Sequence, residues 1–83
     1  MIYRILVTGP GDYRRSTTRK RSDAALLYAE RVAYDVIAGQ AGLDTLWGHK
    51  AMNAVQAIDP RKGATVVIRD YVLYFTPSIG GAK

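Results

Sequence analysis

The chain has 83 residues, no cysteine, one histidine and a formal net charge of +5 at pH 7. This length predicts a single domain, 1–83, because it supports one core and leaves no room for a second. Without cysteine there are no disulfides or thiolate metal sites, and one histidine cannot supply a zinc cluster, so we expect neither a metal nor a cofactor.

The first residues lack the long apolar segment of a secretory signal, and no apolar run approaches the length needed to span a membrane. We therefore predict a cytoplasmic protein without a membrane partner. The charge is unevenly placed: residues 1–21 hold six basic side chains against one acid, and the remainder holds six of each sign. A local excess of this kind indicates an anionic partner.

The run Ile2–Thr8 is rich in apolar and β-branched residues and is predicted to be a buried strand. It is closed by Gly9-Pro10-Gly11-Asp12, which regular structure does not easily cross. Residues 13–21 consist mainly of Arg, Lys, Ser and Thr without apolar periodicity, which predicts a flexible, solvated basic loop.

Apolar residues at helical spacing predict a first helix over 23–38, with Ser22 as its N-cap and Gly39 with Gly42 as its stop. A second helix is predicted to start at Asp44 or Thr45 and to end before 59–63. Its predicted apolar stripe comprises Leu46, Trp47, Ala51, Ala54, Val55 and Ile58.

The segment 64–76 is rich in valine, isoleucine and aromatic residues and is predicted to be a strand. At about 3.3 Å per residue it would span roughly 43 Å, which is too long for a globule with a radius of gyration near 12 Å. Two solutions remain open: a bend at Arg69-Asp70, for example through a bulge, or pairing of part of the strand with a second subunit. Residues 77–83 are predicted to be a tail.

The predicted fold class is therefore α/β, a strand-loop-helix-helix-strand unit. If its two strands are parallel neighbours, the helices form a right-handed crossover between them. Because isolated strand pairs are rarely stable, we expect the sheet to be completed by oligomerisation, most simply as a homodimer.

The turn from Thr8 to Asp12 follows the first strand, where α/β proteins place phosphate-binding loops. Gly9 and Gly11 would let backbone N–H groups approach an anion, and Thr8 offers a hydroxyl. Pro10 removes one donor, and the dinucleotide fingerprint and the Walker lysine are absent. The alternative is an ordinary tight turn leaving a strand.

The segment Arg4-Ile5-Leu6-Val7-Thr8-Gly9-Pro10-Gly11-Asp12-Tyr13 resembles the opening of the SLOG superfamily, which are Rossmann-like nucleotide-binding proteins. The ending Gly80-Gly81-Ala82-Lys83 is similar to the second glycine-rich motif of that family. The resemblance implies a nucleotide or nucleotide-derived ligand near Thr8, Gly9, Gly11, Gly80 and Gly81. Gly11 stands where many relatives carry arginine, and the chain lacks the later elements of that fold.

A second anionic surface is predicted in the basic loop, whose charges and hydroxyls suit phosphate oxygens. Tyr13 beside it could stack on a base. The alternative is a solvated charge run, since no helix-turn-helix, RRM or KH signature accompanies the cluster. The candidate binding cations are Arg14, Arg15, Arg19, Lys20 and Arg21.

Catalytic groups are few. His49 has no serine elbow or cysteine nearby and is interpreted as an exposed helix residue, and we assign no catalytic residues and expect no enzyme. The larger apolar side chains are interpreted as core or subunit interface. These are Trp47, Met52, Tyr71, Tyr74 and Phe75.

Three hypotheses follow. The first is a small basic, non-catalytic protein that binds a phosphate-bearing ligand through the glycine turn and the basic loop. The second is nucleic-acid binding through that loop. The third is a homo-oligomeric interaction or inhibitor protein, of the phage accessory type, that pairs through the strand 64–76.

Overall fold

The structure, a computed structural model, describes residues 1–78 and contains four strands and two helices. The elements in chain order are β1 (Ile2–Thr8), β2 (Arg14–Arg19), α1 (Ser22–Gly39), α2 (Leu46–Gln56), β3 (Ala64–Ile68) and β4 (Tyr71–Ser78). The strands form one sheet in the order β2-β1-β4-β3.

All three strand pairings are antiparallel. The predicted α/β class is confirmed, and of the strand directions left open by the sequence the structure has the antiparallel one, without a helical crossover between parallel neighbours. Short turns join β1 to β2 and β3 to β4, which makes each of these pairs antiparallel. The segment 64–76 thereby doubles back, and its second half, β4, is the part that pairs with β1 and runs opposite to it. The helices lie between the two hairpins along the chain.

The predicted loop 13–21 is also wrong, because most of it is the edge strand β2. Gly11 and Asp12 have positive φ angles of 65° and 61°, and the turn they form folds β2 back onto β1. An edge strand needs backbone pairing on one side only, and charged side chains suit such an edge. Polar composition therefore did not indicate a loop here.

The segment 64–76 bends at Arg69-Asp70, as one of the two predicted solutions required. The bend is a two-residue turn rather than a bulge, with Arg69 at a φ of 56°. Folding back in this way solves the length problem within one chain. Pro77 and Ser78, predicted to be tail, belong to β4 and lie opposite Tyr3 and Ile2.

The helix α1 matches its predicted span to within one residue at each end. Its N-cap is Arg21 rather than Ser22, and no side chain caps it. Asp23 instead accepts a hydrogen bond from the Ala24 N–H at 2.8 Å.

The stop of α1 is centred on Ala41 rather than on Gly39. The Ala41 N–H donates to the Ala38 carbonyl at 3.0 Å, and the Gly42 N–H donates to the Ile37 carbonyl at 2.9 Å. This is the Schellman pattern, with Ala41 in the left-handed position at a φ of 57°.

The helix α2 begins after Thr45, as predicted, because the Thr45 hydroxyl accepts a hydrogen bond from the Gly48 N–H at 3.0 Å. Ala51 and Val55 of the predicted stripe are buried. Leu46 and Ala54 are exposed, so that part of the stripe is wrong.

The core lies between the helices and one face of the sheet. Its largest fully buried side chains are Phe75, Ile5, Ile37, Ile68, Leu73, Val7, Val32 and Val55. Trp47, Met52 and Tyr71 pack against it, while Tyr74 points away and is 38% exposed. Neither described helix is long and apolar enough to cross a membrane.

Candidate anion-binding face

The pairing of β1 with β2 sorts the basic residues of the predicted loop onto two faces. Successive side chains of a strand point to opposite faces, and residues directly opposite each other share a face. Arg15 lies opposite the buried Val7 and therefore faces the helices, whereas Arg14 lies opposite Thr8 and faces the other side. The predicted cation cluster is thus split by the pleat of the sheet.

The cations on the helix side, and the one that precedes α1, have partners within the chain. An Arg15 guanidinium nitrogen lies 3.7 Å from a carboxylate oxygen of Asp35. Arg19 sits over the Tyr28 ring, 5.0 Å from its centroid, and donates to the Thr18 carbonyl at 3.0 Å. Such contacts hold these charges toward the protein rather than toward a ligand.

Arg21 is held by the acid two residues after it. Its Nε and a terminal nitrogen donate to the two Asp23 carboxylate oxygens at 3.0 and 2.7 Å, a bidentate arrangement. This hydrogen bonding raises the pKa of Arg21 and lowers the pKa of Asp23. Lys20 is exposed between β2 and α1.

The face of the sheet that points away from the helices has no element packed on it among residues 1–78. Arg4 and Arg14 lie on this open face, both exposed, and make no ion pair or side-chain hydrogen bond with any other described residue. None of the four described strands contains an acidic residue. The strand residues on the open face therefore include cations and no carboxylate.

Cross-strand rows define what surrounds the two arginines. Arg4 lies between Thr18 and Thr76, and Arg14 lies opposite Thr8. The row between them runs Ser16, Leu6, Tyr74, Thr65 across all four strands. A depression along the paired strands β1 and β2 is lined by Arg4, Leu6, Arg14, Ser16, Thr17 and Thr18.

Two features give this face a chemistry suited to phosphate-bearing ligands. The guanidinium groups and the Ser and Thr hydroxyls can donate to phosphate oxygens. The Tyr74 ring, at the centre of the sheet and 38% exposed, can pack against a planar base.

The glycine turn has a structural use in this arrangement. A side chain at Gly9 would meet the Tyr71 ring at 2.5 Å, and the Gly9 N–H already donates to the Tyr13 carbonyl at 3.1 Å. Nothing lies within 4 Å of the position a side chain would take at Gly11. Of the two glycines, only Gly11 therefore faces open space.

Tyr13, predicted as an exposed stacking residue, is half-buried. Its ring meets the Tyr71 ring edge-on, with centroids 5.0 Å apart. The expected exposure is wrong, because the Tyr13 ring packs against Tyr71 and the core. His49 is exposed on α2, as interpreted.

Of the predicted site residues, the structure brings together Thr8 and Arg14 directly, with Gly11 in the adjoining turn. It separates Arg15, Arg19 and Arg21 from them, and Gly80 and Gly81 lie outside the described residues. Sequence reasoning missed several residues of the open face, although the alternation of Arg14, Ser16 and Thr18 was a usable strand signal. The missed residues are Arg4, Leu6 and Tyr74, whereas Ser16 and Thr18 were predicted only as hydroxyl donors of the basic loop.

Comparison of the chain with family models, with curated proteins and with solved structures finds no match. The resemblance to the SLOG superfamily therefore stays a prediction.

Proposed function

We propose that the protein is a non-catalytic binding protein for single-stranded nucleic acid, with the open face of the sheet as its binding surface. One observation carries this proposal: two arginines without a partner among the described residues flank a row of hydroxyl and aromatic side chains on a face whose described strands contain no acidic residue. Exposed cations and an aromatic ring on a sheet surface are the elements by which such proteins hold a phosphate backbone and stack its bases.

The spacing of the arginines favours a chain of phosphates over one phosphate group. Arg4 lies opposite Thr18, four residues along β2 from Arg14. Four strand residues correspond to about 13 Å. Two cations anchored that far apart suit a repeating backbone, with Tyr74 and Leu6 in the row between them available to a base.

Because the sheet places the arginines on two opposite faces, two variants with the same net charge can test which face binds the nucleic acid. The pair Arg4→Gln with Arg14→Gln removes two charges from the open face, and the pair Arg15→Gln with Arg19→Gln removes two charges from the helix side. The two double variants have the same net charge and differ only in the face that is changed. Fluorescence anisotropy with labelled oligo(dT) and oligo(rU) then measures affinity from about 20 to 300 mM salt.

We expect the open-face pair to weaken binding strongly and to lower the salt slope by about 1.4, since each neutralised phosphate of a single strand contributes about 0.7. The helix-side pair should retain most of the affinity. Equal losses in the two variants would mean that net charge alone drives binding, and an unchanged salt slope in the open-face pair would also contradict the proposal.

The aromatic contribution is tested separately at Tyr74. Tyr74→Ala should weaken binding by about 1–3 kcal/mol, the usual value of one stacked base, while Tyr74→Phe should retain it. If both variants bind equally well, Tyr74 does not stack. Circular dichroism and thermal unfolding confirm that each variant keeps its fold.

A single nucleotide is a second candidate ligand, supported by the juxtaposition of Thr8, Arg14 and the open Gly11 at one end of β1. A thermal-shift panel of mononucleotides, dinucleotides and cyclic nucleotides tests it. Stabilisation by a nucleotide that Thr8→Val and Arg14→Gln abolish, but Arg4→Gln does not, would place the ligand at this corner. No stabilisation at millimolar concentration would reject it.

A further inference from the structure

The two edges of the sheet differ in chemistry. The edge strand β2 carries three arginines, whereas the edge strand β3 consists of Ala64, Thr65, Val66, Val67 and Ile68 and has neither charge nor proline. Val67 is 65% exposed. Proteins usually protect a free edge with charges, prolines or bulges, because unpaired backbone groups there can pair with another strand. The edge at β3 has none of these protections within its five residues.

The hairpin turn determines which backbone groups of β3 point outward. Ile68 and Tyr71 close the two-residue turn and pair with each other, so the backbone groups of Ile68 point toward β4. Backbone direction alternates along a strand, so Val66 and Ala64 also bond toward β4. The N–H and C=O groups of Thr65 and Val67 therefore face away from the sheet.

We propose that β3 pairs with β3 of a second copy of this chain, antiparallel and about a two-fold axis at Val66. In this register Thr65 of one copy lies opposite Val67 of the other, and the two outward-facing residues exchange backbone hydrogen bonds on both sides of the axis. All five residues of β3 are paired, four new backbone hydrogen bonds form, and two four-stranded sheets become one sheet of eight strands.

The length of β3 selects this register. With the axis at Val66, Ala64 lies opposite Ile68 and Thr65 lies opposite Val67, so every residue of β3 is paired. A shift by one pairing step in either direction leaves only three residues of each β3 paired and a single pair of outward-facing residues, so two of the four hydrogen bonds are lost.

Sedimentation velocity of the full chain from about 1 µM to 1 mM tests the proposal, because a contact this small predicts weak association. We expect a monomer–dimer equilibrium.

Val67→Pro tests the edge itself. It removes an outward N–H that has no partner within the sheet, a position where proline is tolerated on an edge strand. The folded variant should be monomeric at 1 mM. A monomer for the unchanged chain at 1 mM, or a dimer that survives in folded Val67→Pro, would each overturn the proposal.

Discussion

Gly48 in the first turn of α2 offers a test in which local preference and tertiary packing predict opposite results. Alanine is favoured over glycine in a helix by about 1 kcal/mol, so local preference alone predicts that Gly48→Ala stabilises the protein. The structure predicts the reverse. A methyl group at Gly48 would overlap the Gly42 carbonyl oxygen and lie 2.9 Å from the carbonyl carbon, with Thr45 Oγ1 at 3.0 Å.

Relief of that overlap requires the start of α2 to move away from Gly42. The movement disturbs two hydrogen bonds: the Thr45 hydroxyl donates to the Gly42 carbonyl at 2.6 Å, and the Gly48 N–H donates to Thr45 Oγ1 at 3.0 Å. Overpacking typically costs about 1–3 kcal/mol and a lost N-cap about 1 kcal/mol. After the gain of about 1 kcal/mol in helix preference, we expect a net loss of about 2 kcal/mol in the free energy of unfolding.

Thermal unfolding followed by circular dichroism measures this change. A loss of about 2 kcal/mol lowers Tm by roughly 8–16 °C for a domain of this size. Gly39→Ala is the matched control, because Gly39 also lies in a helix, is exposed and has nothing within 4 Å of the added methyl group. Gly39→Ala should raise Tm slightly. A Tm for Gly48→Ala equal to or above that of the unchanged chain would refute the packing argument.

Two further predictions concern the ends of α1. Ala41→Gly should stabilise the protein by about 0.5–1 kcal/mol, as measured by chemical denaturation. A left-handed residue with a side chain is strained by about 1–2 kcal/mol, and the greater backbone entropy of glycine in the unfolded chain offsets part of the gain. Lower stability of the variant would show that the Ala41 methyl group makes a stabilising contact. The hydrogen bond from Arg21, and then the Ala24 N–H, lower the pKa of Asp23 below its ordinary value of 3.8, so its contribution to stability is present above that pH and is lost as the pH falls through the lowered pKa. The difference in stability between the unchanged chain and Asp23→Asn should therefore be larger at pH 6 and should shrink as the pH falls below 3.8, and a difference that does not change with pH would argue for another role of Asp23.

The elements predicted correctly are those whose signals are local. The strand β1 and the helix α1 each bury a repeating set of apolar residues, and Thr45 caps α2 with its own hydroxyl. A window of ten to fifteen residues contains all that is needed to recognise them. The strand β2 lacks such a signal, because its side chains are polar and its stability comes from pairing with β1.

The candidate site shows the same division. Thr8 and Gly11 were predicted because they belong to the glycine turn, and Arg14 because it belongs to the basic run that follows this turn. Arg4 and Tyr74 join them only through the register of β1 with β2 and β4, which no local pattern contains. The register also decides which cations of one short segment lie on the open face and which face the helices.

By itself, the sequence determined the α/β class, the positions of β1, α1 and the start of α2, and the concentration of positive charge near the start of the chain. Only the tertiary structure decided that this charge lies on a strand and is divided between two faces of an antiparallel sheet. The physical reason is the two-residue period of a strand: it assigns neighbouring arginines to opposite faces, and pairing with partners distant in sequence determines what each face contains.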